Sequence, residues 1–85
     1  MIADMPRPPL DEFLTGELSN FIRAQLLTAI EQLQTGRRSF TYNTFNVLLD
    51  AEADTTTIED ELDLDRQSTL VLEEFRKLLW ATEDS

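Results

Sequence analysis

The chain contains no cysteine and no histidine. It therefore has no disulfide framework, no thiolate metal site and no catalytic thiol, a composition that fits a reducing compartment. Glycine is scarce too, with 2 residues in all, and no glycine-rich loop is present that would cradle a phosphate group. We expect a protein that is not an enzyme and that binds no cofactor or metal ion.

Long apolar runs and positive charge are also lacking. No window approaches the roughly 18 apolar residues of a membrane span, and residues 1 to 10 have neither the basic region nor the apolar stretch of a signal peptide. Lysine and arginine total 7 against 17 acidic residues, which gives a net charge of -10. Nucleic-acid phosphates and anionic membranes repel such a chain. We therefore expect a cytoplasmic protein that binds neither nucleic acid nor membrane directly.

What the chain does contain is the composition of one small globular domain. Its 85 residues, of which 41% are hydrophobic, suffice for a single buried core. Three prolines close to the start favour extended backbone there. We expect a flexible arm over residues 1 to 9, a single compact domain over residues 10 to 82 and a frayed tail over residues 83 to 85.

An amphipathic helix is predicted for the first part of the domain. Apolar residues recur there at the three-and-four spacing of one helical face. Thr15 is a suitable N-cap and Gly36 a suitable stop, so we expect a short helical turn over residues 10 to 14 and the main helix over residues 16 to 35. The predicted apolar face comprises Leu10, Phe13, Leu14, Leu18, Phe21, Ile22, Leu26, Ala29, Ile30 and Leu33.

Strands are predicted in the middle of the chain, where the apolar period changes to two after Ser39. One strand directs Val47 to the core side. After a turn near Asp54, the next strand directs Ile58 and Leu62 to the same side. The two strands are expected to form an antiparallel hairpin near residues 45 to 62 that packs against the main helix.

The remaining residues complete an α+β fold. A polar turn is expected over residues 65 to 68, a short third strand over residues 69 to 71, and a final helix that begins at Leu72 and ends near Ala81. The predicted architecture is an N-terminal amphipathic helix, an antiparallel β-hairpin or three-stranded sheet, and a C-terminal helix.

Five aromatic or large apolar side chains are divided between core and surface. Phe75 and Leu79 share one face of the final helix, so we assign both to the core, together with Phe40 at the start of the strand region. Trp80 lies one step further round the helix, and Tyr42 lies near a strand end. Both are possible contact residues, since aromatic side chains are enriched at interfaces.

The most distinctive segment runs from Asn46 to Asp65 and carries eight acidic residues with no lysine or arginine. Period-two spacing places its carboxylates opposite the apolar residues, where strand pairing would make a cross-strand ladder of like charge. One interpretation is a solvated face that keeps the protein soluble, and the other is a docking face for a cationic protein. The candidate partner-binding residues are Asp50, Glu52, Asp54, Glu59, Glu61 and Asp63.

Paired carboxylates also serve in catalysis and in calcium binding. A glycosidase-like pair requires one acid with a raised pKa inside a cleft, which a chain this short with acids on an open face has little room to build. Neither Asp54 nor Asp63 starts a loop with the ligand spacing of an EF-hand. Protein binding is therefore the favoured role of the acidic residues.

Four segments suggest a family resemblance. They are Leu10-Asp11-Glu12-Phe13-Leu14, Phe45-Asn46-Val47-Leu48-Leu49, Thr57-Ile58-Glu59-Asp60-Glu61-Leu62 and Leu70-Val71-Leu72-Glu73-Glu74-Phe75-Arg76-Lys77-Leu78-Leu79-Trp80. In this order they resemble the small acidic immunity proteins of bacterial polymorphic-toxin and contact-dependent growth inhibition systems. The resemblance implies a non-enzymatic antitoxin that binds a cognate toxin domain, often a basic nuclease. Its carboxylates would block the active site or substrate channel where nucleic-acid phosphates would lie.

Two other functions are compatible with the sequence. A nucleic-acid mimic that inhibits a DNA-binding protein would use the same charges against a different partner. A structural or adaptor subunit of a larger assembly would instead use the apolar residues of the long helix as its interface. The partner of the favoured function is a basic protein, whereas the third function requires no charge complementarity.

Overall fold

The computed structural model describes residues 9 to 81, apart from the side chain of Leu64. The elements are α1 (Leu10–Glu12), a π-helical turn (Phe13–Glu17), α2 (Asn20–Gln32), β1 (Arg37–Tyr42), β2 (Phe45–Asp50), β3 (Thr55–Asp60), β4 (Asp63–Val71) and α3 (Leu72–Ala81). The strands form one antiparallel sheet of order β1-β2-β3-β4, so the predicted α+β class is confirmed. The predicted arm and tail lie outside the described residues, except for Pro9.

The main helix begins later than predicted because Ser19, not Thr15, is its N-cap. The backbone of Ser19 is extended, and its hydroxyl accepts a hydrogen bond from the N–H of Ile22 at 3.2 Å. The Thr15 hydroxyl instead donates to the carbonyl of Asp11 at 2.8 Å, within the π-helical turn. Consequently α2 occupies only the central part of the predicted range of 16 to 35.

The sheet has four strands because two predicted boundaries were wrong. A two-residue turn at Asn43 and Thr44 divides the first strand region into β1 and β2. Asn43 has a φ of 58°, a left-handed conformation that asparagine adopts more readily than most residues. Residues 65 to 68, predicted to be a turn, lie within β4, where Gln67 pairs with Glu59 and Ser68 with Ile58 of β3.

The predicted hairpin is confirmed as β2 and β3, with Val47 directly opposite Ile58. Both residues are fully buried in the core, which α1, the π-helical turn, α2 and α3 complete on one side of the sheet. Phe75 and Leu79 are also fully buried, as predicted, and Phe40 packs against the core while partly exposed. This arrangement leaves the other sheet face without a helical cover from the described residues.

Two side chains predicted to face the core lie at the surface. Phe21 is 73% exposed because the core covers only the part of the helical stripe that points at the sheet. Leu62 is 81% exposed because it lies in the turn between β3 and β4, where the period of two is interrupted. Trp80 is half exposed, next in the chain to the buried Leu79 of α3.

Within residues 9 to 81, no helix has the length and apolar character that crossing a membrane requires.

Candidate partner-binding surface

The uncovered face of the sheet is polar but not strongly acidic. Because residues directly opposite each other share a face, the strand register identifies the side chains on it. They are Arg37, Ser39, Thr41, Asn46, Leu48, Asp50, Thr55, Thr57, Glu59, Gln67, Thr69 and Val71. Several are paired by hydrogen bonds, such as Thr41 Oγ1 with Asn46 Oδ1 at 2.8 Å and Thr57 Oγ1 with Thr69 Oγ1 at 3.0 Å.

The predicted ladder of like charge is therefore not formed. Asp50 lies opposite Arg37 on one side and Thr55 on the other, whereas Glu59 lies opposite Asn46. Four residue steps separate Asp50 from Asn46, which is about 14 Å along the strand. Glu52 and Glu61 lie in turns, outside the strand pairing, and the one pair of directly opposed acidic residues in the register is Asp60 with Asp63, at the end of β3 and the start of β4.

The six predicted binding residues fall into two groups at opposite ends of the sheet. The first group comprises Asp50 at the end of β2 and Glu52 and Asp54 in the following turn. The second group comprises Glu59 near the end of β3, Glu61 in the next turn and Asp63 at the start of β4. The length of β3, five residue steps or roughly 17 Å, separates the two ends.

Two of the three carboxylates in the first group accept hydrogen bonds from backbone N–H groups in or near the turn between β2 and β3. Asp50 Oδ1 accepts hydrogen bonds from the N–H groups of Glu52 and Ala53 at 2.9 and 3.0 Å, and its Oδ2 lies 3.4 Å from Arg37 Nε. Glu52 Oε2 accepts a hydrogen bond from the N–H of Gly36 at 3.0 Å. Asp54 is exposed and has a φ of 60°. Asp50 and Glu52 thus satisfy local donors and a cation, so less of their charge is available to a partner.

The second group is joined by acidic side chains from the N-terminal helical segment. Arg66 donates from Nη2 to Glu12 Oε2 at 3.0 Å and from Nη1 to Asp60 Oδ2 at 3.1 Å, which ties α1 to the end of β3. Asn43 Nδ2 donates to Glu17 Oε1 at 3.4 Å. We name the resulting surface the acidic end. It comprises Glu12, Glu17, Glu59, Asp60, Glu61 and Asp63.

Charge at the acidic end is only partly compensated. In the described part of the chain, its ion pairs all involve Arg66. The hydrogen bond to Glu12 is the main cause of a raised pKa for the Arg66 guanidinium, and the nearby charges of Glu12, Asp60 and Asp63 add to it. Arg66 thus pairs with two of the six carboxylates, and the acidic end keeps a net negative charge.

The turn at the tip of the acidic end has a fixed geometry. Asp60 Oδ1 accepts a hydrogen bond from the N–H of Leu62 at 2.9 Å, and the N–H of Glu61 donates to the carbonyl of Thr44 at 2.7 Å. The second bond joins this turn to the turn between β1 and β2. Leu62, 81% exposed, is therefore presented between Glu61 and Asp63 on an ordered turn.

The described residues include no group of three or more histidine, cysteine, aspartate or glutamate side chains that could hold a metal ion. The acidic end presents an exposed apolar side chain, Leu62, between two exposed carboxylates.

Comparisons with known proteins add no constraint: no family model, no curated protein and no solved structure matches the chain.

Sequence reasoning missed Glu12 and Glu17 as members of the surface. Both lie on helical segments, and Glu12 is 54 residues away from its ionic partner Arg66. No periodic pattern connects positions so far apart. The one available signal was the excess of acidic over basic residues near the start of the domain, where Asp11, Glu12 and Glu17 precede the domain's first cation.

Proposed function

We propose that this chain is a non-enzymatic, cytoplasmic inhibitor that binds and neutralises a basic protein, in the manner of an immunity protein or antitoxin acting on a basic toxin domain. The observation that carries the proposal is the acidic end, where two of the six carboxylates are paired with Arg66 and the exposed Leu62 lies between Glu61 and Asp63. The uncovered sheet face, with its mixed charge, offers no comparable field.

The electrostatic part of this surface favours a cationic partner. Like charges held together destabilise the folded chain slightly, and a positive surface relieves that repulsion on binding. Complementary fields also accelerate association and exclude partners of the wrong charge. Glu61 and Asp63 are both exposed, so a partner reaches them without disturbing the core.

The exposed Leu62 adds a hydrophobic contribution to binding, which the carboxylates do not provide. A side chain such as Leu62 loses water-exposed area when it enters a pocket, which is favourable by about 25 cal/mol for each Å² buried. Its backbone N–H is held by Asp60, so little conformational freedom is lost on binding. We infer that Leu62 enters a pocket of the partner while the carboxylates around it meet lysine or arginine side chains. In a nuclease, these are the cations that otherwise hold nucleic-acid phosphates.

The proposal is tested by co-expressing the chain with a basic toxin domain, taken from a neighbouring gene that encodes one, and measuring both complex formation and growth. The double variant Glu61→Lys and Asp63→Lys should keep its core, since both side chains are exposed and the change removes only the 3.2 Å hydrogen bond from the N–H of Asp65 to Asp63 Oδ1, but it should lose binding and protection. The matched control is Glu31→Lys with Glu74→Lys. It changes the net charge equally and replaces exposed residues on α2 and α3.

Loss of binding in the first variant but not in the control supports the acidic end as the contact surface. Equal loss of binding in both double variants would show that the effect depends on net charge and not on the position of the charges. Full protection by the Glu61→Lys and Asp63→Lys variant would exclude the proposed mechanism and direct attention to the apolar side chains of α2. A third substitution, Leu62→Ser, leaves the charge unchanged and should weaken the complex mainly through faster dissociation.

A further inference from the structure

The outer edge of β1 is unpaired in the part of the chain that the structure describes. β1 is the first strand of the sheet, and β2 is its neighbour on one side only. In a hairpin with a two-residue turn, the closing residues Tyr42 and Phe45 form a hydrogen-bonded pair, and such pairs recur at every second residue. The bond from the N–H of Ala51 to the carbonyl of Gly36, at 2.9 Å, follows the same alternation. The odd-numbered residues of β1 therefore direct their backbone N–H and C=O groups outwards, namely Arg37, Ser39 and Thr41.

The two edges of the sheet differ in how they are protected against pairing. β4, the other edge, carries Asp63 and Asp65, and its pairing with β3 is irregular at Glu59 and Asp60. Charges and irregularities of this kind discourage a further strand from adding. β1 contains no acidic residue, proline or bulge.

The two arginines of β1 are engaged within its own sheet. Arg37 Nε lies 3.4 Å from Asp50 Oδ2, and the guanidinium of Arg38 lies 5.2 Å from the ring centre of Phe40. Each arginine thus has a partner within its own chain, and the Arg37 side chain is 82% exposed.

An open groove adjoins this edge on the helical side of the sheet. It has a volume of about 360 Å³ and lies between α2 and β1. Phe21, Ala24 and Thr28 line it from the helix, and Arg38 and Phe40 line it from the strand. Phe21 is 73% exposed at this site. A strand that added to β1 would direct every second side chain into the groove.

We propose that the occupant is a second copy of this chain, whose own β1 pairs antiparallel with β1 across a two-fold axis at Ser39. Every symmetric register centred on a residue from Arg37 to Thr41 places outward-facing residues opposite one another. A register centred on Arg38 opposes the two Arg38 side chains, and one centred on Phe40 places Arg37 opposite Asn43 in the turn. Only the register centred on Ser39 pairs all the outward-facing residues within the strands.

The side-chain contacts across the interface also favour this register. Arg38 lies opposite Phe40 of the second copy, so each arginine reaches an aromatic ring across the interface as well as within its own chain. Phe40 of the second copy enters the groove next to Phe21. The acidic end adjoins the last residues of β1, and antiparallel pairing places the two acidic ends at opposite extremes of the dimer. Their mutual repulsion is thereby kept small.

The register is tested by introducing single cysteines into a chain that has none. Ser39→Cys places the new side chain opposite itself, at the Cα separation of about 5.5 Å typical of a hydrogen-bonded pair, which a disulfide can span. Thr41→Cys is the matched control on the same strand and face. Its two copies would lie four residue steps apart, or about 14 Å, beyond the reach of a disulfide. Mild oxidation should cross-link the first variant and leave the second at background.

Sedimentation supplies the second measurement. The unmodified chain should approach twice its mass of 9.8 kDa as its concentration rises. Ser39→Pro removes an outward N–H that β2 does not use, so it should yield a monomer with unchanged helical and strand content by circular dichroism. A chain that stays monomeric at every concentration would overturn the proposal. Equal cross-linking of the Ser39→Cys and Thr41→Cys variants would also overturn it, because random collision gives that result.

Discussion

Thr56 is a buried polar residue whose replacement by valine should stabilise the protein. It is fully buried on the core side of β3, opposite Leu49 of β2 and Leu70 of β4. Its hydroxyl has no hydrogen-bond partner among the described residues. A buried hydroxyl without a partner costs about 1–3 kcal/mol. Valine has nearly the same shape and suits a strand equally well, so the structure predicts a gain of about 1–2 kcal/mol in the free energy of unfolding.

Urea and thermal denaturation would measure this gain. For a domain of this size, each kcal/mol corresponds to a shift of about 4–8 °C in Tm. The neighbouring Thr57 is the natural control, because it faces away from the core and its hydroxyl bonds to that of Thr69 at 3.0 Å. Thr57→Val should therefore give no gain or a small loss. A destabilised Thr56→Val protein would refute the reasoning, since it would mean that the hydroxyl has a partner in solution.

Two further predictions concern burial and ionisation. Val47→Asp should unfold the protein, because an unpaired buried charge costs several kcal/mol of a free energy of unfolding of about 5–15 kcal/mol. Leu62→Asp, at an exposed turn, should leave cooperative melting intact. Thermal melting followed by circular dichroism compares the two variants. Burial raises the pKa of Tyr42 above 10.0, an effect that Arg38 partly opposes, so Arg38→Gln should raise that pKa further. The stability that Tyr42 contributes is present below pH 10.0 and is lost as pH rises through the higher folded-state pKa. Absorbance titration of this single tyrosine would show no such rise if the side chain were fully exposed to solvent.

The sequence predicts the parts of the fold that depend on local periodicity. Alternation identified Val47 and Ile58 as core residues, and the three-and-four spacing did the same for Phe75 and Leu79. Period alone does not give the width of the covered face, which is why Phe21 was wrongly assigned to the core. It also fails at turns that lack a strong signal. The turn at residues 43 and 44 lacks the asparagine-glycine pair that usually indicates a two-residue turn.

The candidate surface was predictable only in part, for a similar reason. The concentration of acidic residues between β2 and β4 is visible in the sequence, but their division between two ends of the sheet depends on the turn positions. The recruitment of Glu12 depends on tertiary contact with Arg66, which no local rule anticipates. Charge composition thus indicated the chemistry of the proposed partner, whereas the geometry of the contact required the fold.

The acidic end and the edge of β1 are separable surfaces, and their combination has a consequence for stoichiometry. A dimer paired through β1 would carry two acidic ends at its extremes, each able to bind one partner without obstructing the other. Ser39→Pro should then halve the number of partners per particle while leaving the affinity of each acidic end unchanged. The double variant Glu61→Lys and Asp63→Lys should abolish partner binding while the dimer persists. A partner that is itself multivalent would bind the dimer more tightly than the monomer, because the second contact forms at the effective concentration set by the first.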